Sequence, residues 1–211
     1  GALKEGLAQT RGEFVAIFDA DFLPNPDFLA KTIPYLLADS TIGMVQGRWD
    51  HINIDYSLLT RIQAIALDAH FVMEQQVRNR WNLFMNFNGT AGVWRRSCIE
   101  DAGNWHADTL TEDLDLSYRA QLRGWRFLYL NDLVVPAELP SEINGLKSQQ
   151  FRWTKGAIET ARKLLFDVWR APLHWRVKLN ATLHLTSNLV FPCILVVAIL
   201  NIPILLVKQS H

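Results

Sequence analysis

Phe14-Val15-Ala16-Ile17-Phe18-Asp19-Ala20-Asp21 joins a continuous apolar run to a pair of acids. Such a run is typical of a strand buried on both faces of a parallel sheet. The carboxyl end of a strand is the edge of an open α/β sheet at which ligands bind. We therefore expect Asp19 and Asp21 at a ligand-binding edge, where their oxygens suit Mg²⁺ or Mn²⁺ and, through the ion, a diphosphate. The alternative is that both acids are turn or capping groups.

Strands and helices alternate along the rest of the first 145 residues, which predicts an α/β domain with a largely parallel sheet. Asn25 and Pro26 are expected to begin one helix, as its N-cap and first residue. Thr109 and Glu112 have the spacing of a capping box for another. The predicted helices are 2–7, 25–36, 58–77, a short one that ends at Gly103, and 109–124, and the predicted strands besides the first are 43–47, 125–130 and 134–135.

Thr111-Glu112-Asp113 lies at a predicted helix start. The helix dipole favours acids in a first turn whatever their function, so a structural role is one interpretation. The other is that Asp113 is a general base that removes a proton from an attacking hydroxyl. The same dipole is expected to lower the pKa of Asp113, which would keep it ionised and make it a weaker base.

Two further segments have residue types that suit ligand binding. In Phe87–Gly92, two glycines permit close approach of the backbone to a ligand, although turns use the same residues. In Gln149-Gln150-Phe151-Arg152-Trp153, the guanidinium can bind phosphate oxygens with two hydrogen bonds and the indole can stack on a ring. The alternative for the second segment is an interfacial helix with a Trp anchor.

The chain changes character after Ser148. An amphipathic helix with basic flanks is predicted there, which suits a membrane surface. Its predicted apolar face is Phe151, Ile158, Ala161, Leu165 and Val168, and its basic residues are Arg152, Lys155, Arg162 and Lys163. Residues 185–207 carry no charge and are long enough to span a bilayer. A buried core helix is the alternative, because Asn188, Pro192, Asn201 and Pro203 interrupt the apolar run.

Composition excludes some classes of protein. Lys and Arg together number 21, as do Asp and Glu, and no basic run is present, so we expect no nucleic-acid partner. Because the two cysteines are widely separated in sequence, we expect no disulfide framework. The first residue is Gly1, inside a predicted helix and without a signal-peptide pattern, so we expect a missing N-terminal segment.

In this order, the Asp-Ala-Asp, Thr-Glu-Asp and Gln-Gln-Phe-Arg-Trp segments resemble the motifs of the processive family 2 glycosyltransferases, the cellulose-synthase-like enzymes. Three matched motifs with compatible spacing are more specific than any one. Residues 18–22, 87–92 and 138–141 are most similar to the glucomannan and xyloglucan-backbone synthase branch. The resemblance covers nearly the whole chain.

The resemblance implies three regions. Residues 1–145 would form a partial, mostly parallel GT-A domain that lacks its N-terminal strands, 146–180 amphipathic interfacial helices, and 181–207 a C-terminal transmembrane segment. The protein would be an integral membrane protein, in the inner membrane of a bacterium or the Golgi of a eukaryote, with the catalytic part facing the cytoplasm.

The resemblance also implies roles for site residues. Asp21 would bind Mg²⁺ or Mn²⁺, Asp19 would help to place the nucleotide-sugar donor, and Asp113 would be the catalytic base. Gln149 and Arg152 would contact the donor and its diphosphate.

On the acceptor side, Trp153 would stack beneath a sugar of the polysaccharide or oligosaccharide acceptor, with Asn88, Gly89 and Thr90 beside it. The reaction would be an inverting transfer of a hexose from UDP-glucose or GDP-mannose to a growing β-linked polysaccharide.

Two alternatives to this function stay open. One is a non-catalytic membrane scaffold or pseudoenzyme, and the other is a transferase that makes a single addition to a lipid carrier. The family also uses an earlier aspartate and early strands, which would lie before Gly1. Residues 1–211 alone are therefore expected neither to bind donor tightly nor to turn over.

Overall fold

The structure is a computed structural model that describes residues 2–209, with side chains described through Asn201. Helices α1 to α9 are Ala2–Gln9, Phe28–Ala38, Leu58–Asp68, Gln76–Arg80, Arg96–Asp101, Glu112–Leu122, Ile143–Arg170, Trp175–Leu185 and Val190–Gln209. Strands β1 to β4 are Phe14–Ile17, Ile42–His51, Gly92–Arg95 and Arg126–Ala137. A π-helical segment, Ala69–Gln75, joins α3 to α4, and Ile54–Tyr56 and Ser187–Leu189 are short 3₁₀ turns.

The four described strands form one mixed sheet in the order β1-β3-β2-β4. Only the β2–β4 pairing is parallel, while β3 is antiparallel to both β1 and β2. The expected largely parallel sheet is therefore wrong for these strands. The strand of residues 14–17 is present, but it lies at an edge with Ala16 exposed, so it is not buried on both faces.

Alternating side chains of the central strands face two separate cores. Met44 and its cross-strand neighbour Trp94 contribute to the core that includes Phe87 and Phe127. Val45 and its neighbours contribute to the opposite core, against α2. This alternation is the period-two geometry of a sheet covered on both sides.

Strand β4 runs through the predicted break between 125–130 and 134–135. Its pairing with β2 skips from Leu130 to Val134, so the intervening residues bulge out of the ladder. A Cβ on Gly47 would lie 2.7 Å from the carbonyl oxygen of Leu133, which explains the glycine on the facing strand. The two short strands predicted from the sequence are therefore one strand with an irregularity.

Two predicted helix starts are wrong. The N-cap of α2 is Asp27 rather than Asn25, and it makes no side-chain capping hydrogen bond. The N-cap of α6 is Thr111, so the capping box of Thr109 and Glu112 does not form, and Thr109 is buried. Neither helix therefore uses the local cap that its sequence offers.

Helix α7 packs its buried side against α6 and α8. Leu164 and Val168 join a third core with Tyr118 of α6 and Leu185 of α8. Of the predicted apolar face, Phe151 and Ile158 are 65% and 41% exposed, whereas Val168 is buried. The helix therefore has a buried stripe and a separate exposed apolar stripe.

Within the described residues, no single helix is both long and apolar enough to cross a membrane. The consecutive segments Trp175–Leu185 and Ser187–Asn201 satisfy length and hydropathy together, with a bend of 53° between them. The side chains of 202–207, in the predicted transmembrane segment, lie outside the described residues.

Candidate active site

Two buried side chains of α6 hold the chain segment that precedes β3. Gln121 accepts a hydrogen bond from the Met85 amide at 2.9 Å and donates one to the Met85 carbonyl at 2.7 Å. Ser117 accepts from the Phe87 amide at 2.9 Å and donates to the Asp113 carbonyl at 2.6 Å. These bonds fix the glycine-rich loop beside the first turn of α6.

Gly89 of that loop lies close to Asp113. Its φ is +82°, and a Cβ built there would lie 3.2 Å from Oδ2 of Asp113. A side chain at this position would be strained by the backbone and would crowd the carboxylate. Glycine therefore keeps one face of Asp113 open.

The same loop holds the acids that follow β1. The side chain of Thr90 is buried and its hydroxyl accepts a hydrogen bond from the Asp19 amide at 2.8 Å. Thr90 thus supports the backbone of the Asp-Ala-Asp turn. One short loop contacts both acidic motifs, although they are more than 90 residues apart in sequence.

Four carboxylates converge here. Burial raises the pKa of Asp19, and the charges of Asp21 and Glu112 raise it further. Burial likewise raises the pKa of Asp113 to about 7, and the charges of Glu112 and Asp19 add to the effect. The expectation that the helix dipole lowers the pKa of Asp113 is wrong, because burial and like charges outweigh it.

The charge of this acidic cluster, Asp19, Asp21, Glu112 and Asp113, is not neutralised by neighbouring side chains. Within residues 2–201, no ion pair joins any of the four to a Lys, Arg or His. Mutual repulsion among clustered carboxylates falls when a divalent cation binds them, and oxygen atoms are the ligands that Mg²⁺ and Mn²⁺ prefer. The cluster therefore offers oxygen ligands of the kind that a divalent metal ion prefers.

A cavity of about 520 Å³ opens on the other side of Asp113. Asp113 lines it, whereas Asp19 and Asp21 do not, so this carboxylate lies between the cavity and the rest of the acidic cluster. Other lining residues include Trp49, Gln63, His70, Phe71, Glu74, Asn88, Gln149, Trp153, His184 and Asn188, together with the aliphatic Ile62, Leu67, Leu114 and Leu146. Aromatic faces with several amides and few charges suit a neutral polyhydroxylated ligand such as a sugar.

Helix α7 forms one wall of this cavity through Gln149 and Trp153. Arg152 is exposed and does not line the cavity. It lies one turn before Gly156, which packs on Thr111 at the start of α6. The structure thus brings Gln149 and Trp153 to Asp113 and places Arg152 outside the cavity.

A second polar cluster escaped the sequence analysis. His106, Asp108 and Asp115 offer atoms within 4.8 Å of one another, as metal ligands do. Yet Nζ of Lys163 lies 2.8 to 3.1 Å from all three residues, and Arg119 also pairs with the buried Asp115. The ammonium group occupies the position of a cation, so this cluster is an ionic link between α6 and α7. No local pattern relates Lys163 to the others, since 48 or more residues separate them.

Comparison with known proteins gives one family. The model of the family described as "Glycosyltransferase like family 2" matches residues 1–156. Glucomannan 4-beta-mannosyltransferase 2 of Arabidopsis thaliana is 49% identical over 173 residues, which are 81% of this chain and 32% of that protein. Glucomannan 4-beta-mannosyltransferase 1 of Oryza sativa subsp. japonica is also 49% identical, over 81% of this chain and 33% of its own length. The chain thus spans about a third of these relatives.

Solved structures show the same fold at low sequence identity. The mannosyltransferase PcManGT from Pyrobaculum calidifontis, in complex with GDP-Man and Mn²⁺, has a TM-score of 0.62 and 20% identity, over 89% of this chain and 49% of its own. TarS 1–349 of S. aureus, in complex with UDP-GlcNAc, has a TM-score of 0.56 and 14% identity, over 88% of this chain and 50% of its own. The described chain therefore has a GT-A-like α/β fold with a mixed sheet.

Replacing Gly156 should separate α7 from the start of α6. A Cβ there would lie 2.7 Å from the Thr111 amide nitrogen and nearer still to its side chain. We expect Gly156→Ala to lower the free energy of unfolding by about 1–3 kcal/mol through overpacking. Gly6→Ala in α1 is the control, because nothing lies within 4 Å of that position. Urea unfolding measures both, and a Gly156→Ala protein as stable as wild type would contradict the packing.

The raised pKa of Asp113 predicts a dependence of stability on pH. The contribution of Asp113 to the free energy of unfolding is fully present below its ordinary pKa of 3.8, and it is lost as the pH rises through about 7. Asp113→Asn cannot ionise, so at pH 8 without divalent cations it should be more stable than wild type by on the order of 1–3 kcal/mol. At pH 4 the difference should shrink.

Urea unfolding at both pH values checks this, with Asp132→Asn on the exposed bulge of β4 as the control. An equal stability difference at pH 4 and pH 8 would refute the raised pKa.

Proposed function

The chain belongs to glycosyltransferase family 2, and from that premise we propose that it carries the active site of a metal-dependent, inverting hexosyltransferase that extends a β-linked polysaccharide. The observation that carries this proposal is the position of Asp113. Its carboxylate lines a cavity that has aromatic and amide side chains in its wall, and it also lies close to the other acids of the cluster. A donor diphosphate on one side and an acceptor sugar on the other would meet at this residue.

Asp113 is the proposed base. It would accept a proton from the acceptor hydroxyl that attacks the anomeric carbon of the donor, with loss of the nucleoside diphosphate. A pKa of about 7 makes this carboxylate a stronger base than an ordinary one while it still ionises near neutral pH. The open face beside Gly89 gives the hydroxyl room to approach.

Asp21, with Asp19 beside it, would hold Mg²⁺ or Mn²⁺. A bound divalent ion supplies electrostatic stabilisation of the departing diphosphate. Asp19 also helps to place the nucleotide sugar, because the Thr90 hydroxyl fixes its backbone. Arg152 is exposed and unpaired within the described residues, so its guanidinium is free to bind diphosphate oxygens. Gln149 lines the cavity, and it would contact the donor where donor and acceptor meet at Asp113.

The acceptor would occupy the cavity. Trp153 offers a ring face for stacking on a pyranose, and Asn88 offers an amide. Gly89 follows Asn88 and approaches Asp113, while the buried Thr90 acts through the Asp19 backbone that it holds. The 49% identity to proteins named as glucomannan 4-beta-mannosyltransferases supports GDP-mannose as the preferred donor, with UDP-glucose as the other candidate.

Residues 146–180 would lie on a bilayer surface and 181–207 would cross it, in the Golgi membrane of a eukaryote or the inner membrane of a bacterium, with the site facing the cytoplasm. An exposed stripe of α7 combines apolar and basic side chains at steps of three or four residues, which suits a headgroup region. Its members are Phe151, Lys155, Ile158, Arg162, Phe166 and Trp169. The Arg170 guanidinium also lies 3.9 Å from the centroid of the Phe166 ring.

The proposal predicts sugar transfer by the protein expressed in membranes from its complete gene. Incorporation of radiolabelled sugar into polymer should be highest with GDP-mannose among a panel of GDP- and UDP-sugars. Asp113→Asn should reduce incorporation at least about 10³-fold, because no other group takes the proton, while donor binding persists. Failure of the wild-type protein to transfer from any donor would refute the function, and retained turnover in Asp113→Asn would exclude it as the base.

Asp21→Ala should weaken metal-dependent donor binding. Loss of one carboxylate ligand removes part of the charge that holds the ion, so the Mn²⁺ concentration for half-maximal activity should rise about tenfold or more. Titration of activity with Mn²⁺ measures this, with the exposed Asp132→Ala as the matched control. An unaltered titration would remove Asp21 from the ligand set.

A further inference from the structure

The π-helical segment Ala69–Gln75 faces the cavity. His70, Phe71 and Glu74 line it, and the fully buried Gln75 bonds to Asn88 behind it. A π turn is a rare departure from the α-helix that occurs frequently at functional sites. Because the wider turn displaces side chains relative to a regular helix, this segment presents a set of groups that α-helical spacing would not bring together.

Two buried amides fix the orientation of the Asn88 side chain. Gln75 Nε2 donates to the Asn86 carbonyl at 2.7 Å, and it also donates to Asn88 Oδ1 at 2.8 Å. Gln46 Oε1 accepts a hydrogen bond from the backbone amide of Asn88 at 3.4 Å. Gln46 Nε2 donates to Asn88 Oδ1 at 3.0 Å. Backbone partners identify the nitrogen of each glutamine, so Oδ1 of Asn88 must be the atom that accepts both bonds.

This orientation also fixes the state of His70. Asn88 Nδ2 lies 3.1 Å from Nε2 of His70, and an amide nitrogen can only donate. Nε2 of His70 is therefore the acceptor and its proton is on Nδ1, which lies 3.1 Å from Oε2 of Glu74. Glu74, His70 and Asn88 form one directed chain of hydrogen bonds.

This series of hydrogen bonds ends beside the proposed base, Asp113. Asn88 lines the cavity and precedes Gly89, which contacts Asp113. Both bonds to Oδ1 and one hydrogen of Nδ2 are used, which leaves the second Nδ2 hydrogen as a fixed donor. Because buried partners already hold this N–H group in place, it loses little conformational entropy when a hydroxyl accepts its hydrogen bond.

We propose that the Glu74–His70 pair positions the Asn88 amide to donate a hydrogen bond to a hydroxyl of the acceptor sugar, so that the π segment determines acceptor recognition. This inference rests on the proposed function. Glu74 and His70 are positioning residues, because they act through Asn88. The acceptor is the substrate concerned, since Asp19 and Asp21 do not line this cavity.

Two substitutions of His70 separate positioning from mere packing. His70→Phe keeps a ring for the edge-on contact with Phe71, whose centroid lies 5.0 Å away, but cannot accept from Asn88. His70→Gln can accept through its side-chain oxygen. We expect His70→Phe to raise the KM for a β-linked mannooligosaccharide acceptor about tenfold, with the KM for GDP-mannose within twofold of wild type, and His70→Gln to restore most of the loss.

A double-mutant cycle tests the coupling. Asn88→Ala should raise the acceptor KM by a similar factor, and His70→Phe combined with Asn88→Ala should be no worse than Asn88→Ala alone. Glu74→Gln keeps the size of a half-exposed side chain but also weakens its ion pair with Arg78, and it should give a smaller increase in the same direction. His174→Gln, outside the cavity at the N-cap of α8, is the control.

The outcomes are distinct. An inactive wild-type protein would refute the proposed function before any variant is compared. An active wild-type protein would overturn the positioning role if His70→Phe kept the wild-type acceptor KM, if it raised both KM values equally, or if the double variant showed additive losses.

Discussion

The site depends on the pairing of two buried α6 side chains, Ser117 and Gln121, with the backbone of Met85 and Phe87. An unpaired backbone group in this core would cost about 1–3 kcal/mol, so the pairing fixes the position of the segment firmly. The loop that follows carries Asn88, Gly89 and Thr90 past the first turn of α6. Through it, one helix positions the proposed base, the backbone of the first acidic motif and the amide that faces the cavity.

Two acids in the first turn of helix α6 have opposite electrostatic surroundings. Asp115 is fully buried and pairs with Arg119 and Lys163, as a structural carboxylate does. Asp113 has no basic partner within the described residues, and its pKa is raised to about 7. Folding tolerates this unfavourable ionisation, and such perturbed groups concentrate at functional sites. The contrast identifies Asp113 more clearly than either feature alone.

Helix α7 connects the site to the rest of the molecule through three faces. One packs on Thr111 through Gly156 and binds Asp115 through Lys163, one lines the cavity with Gln149 and Trp153, and one is an exposed stripe of apolar and basic side chains. A displacement of this helix would therefore move the cavity wall relative to the base. If the stripe lies on a bilayer, the depth of the helix and the geometry of the site are mechanically coupled.

Sequence patterns predicted the family, the α/β class, most of the helices and the two acidic motifs at a strand end and a helix start. Those features depend on hydrophobic periodicity and on neighbours within a few residues. Tertiary structure alone decided the antiparallel pairing of β1, the start of α6 at Thr111, the raised pKa of Asp113, the exposed position of Arg152 and the network around His70. Strand direction, burial and hydrogen-bond partners arise between residues far apart in the chain, as with Gln46 and Asn88, and no local pattern specifies such pairs.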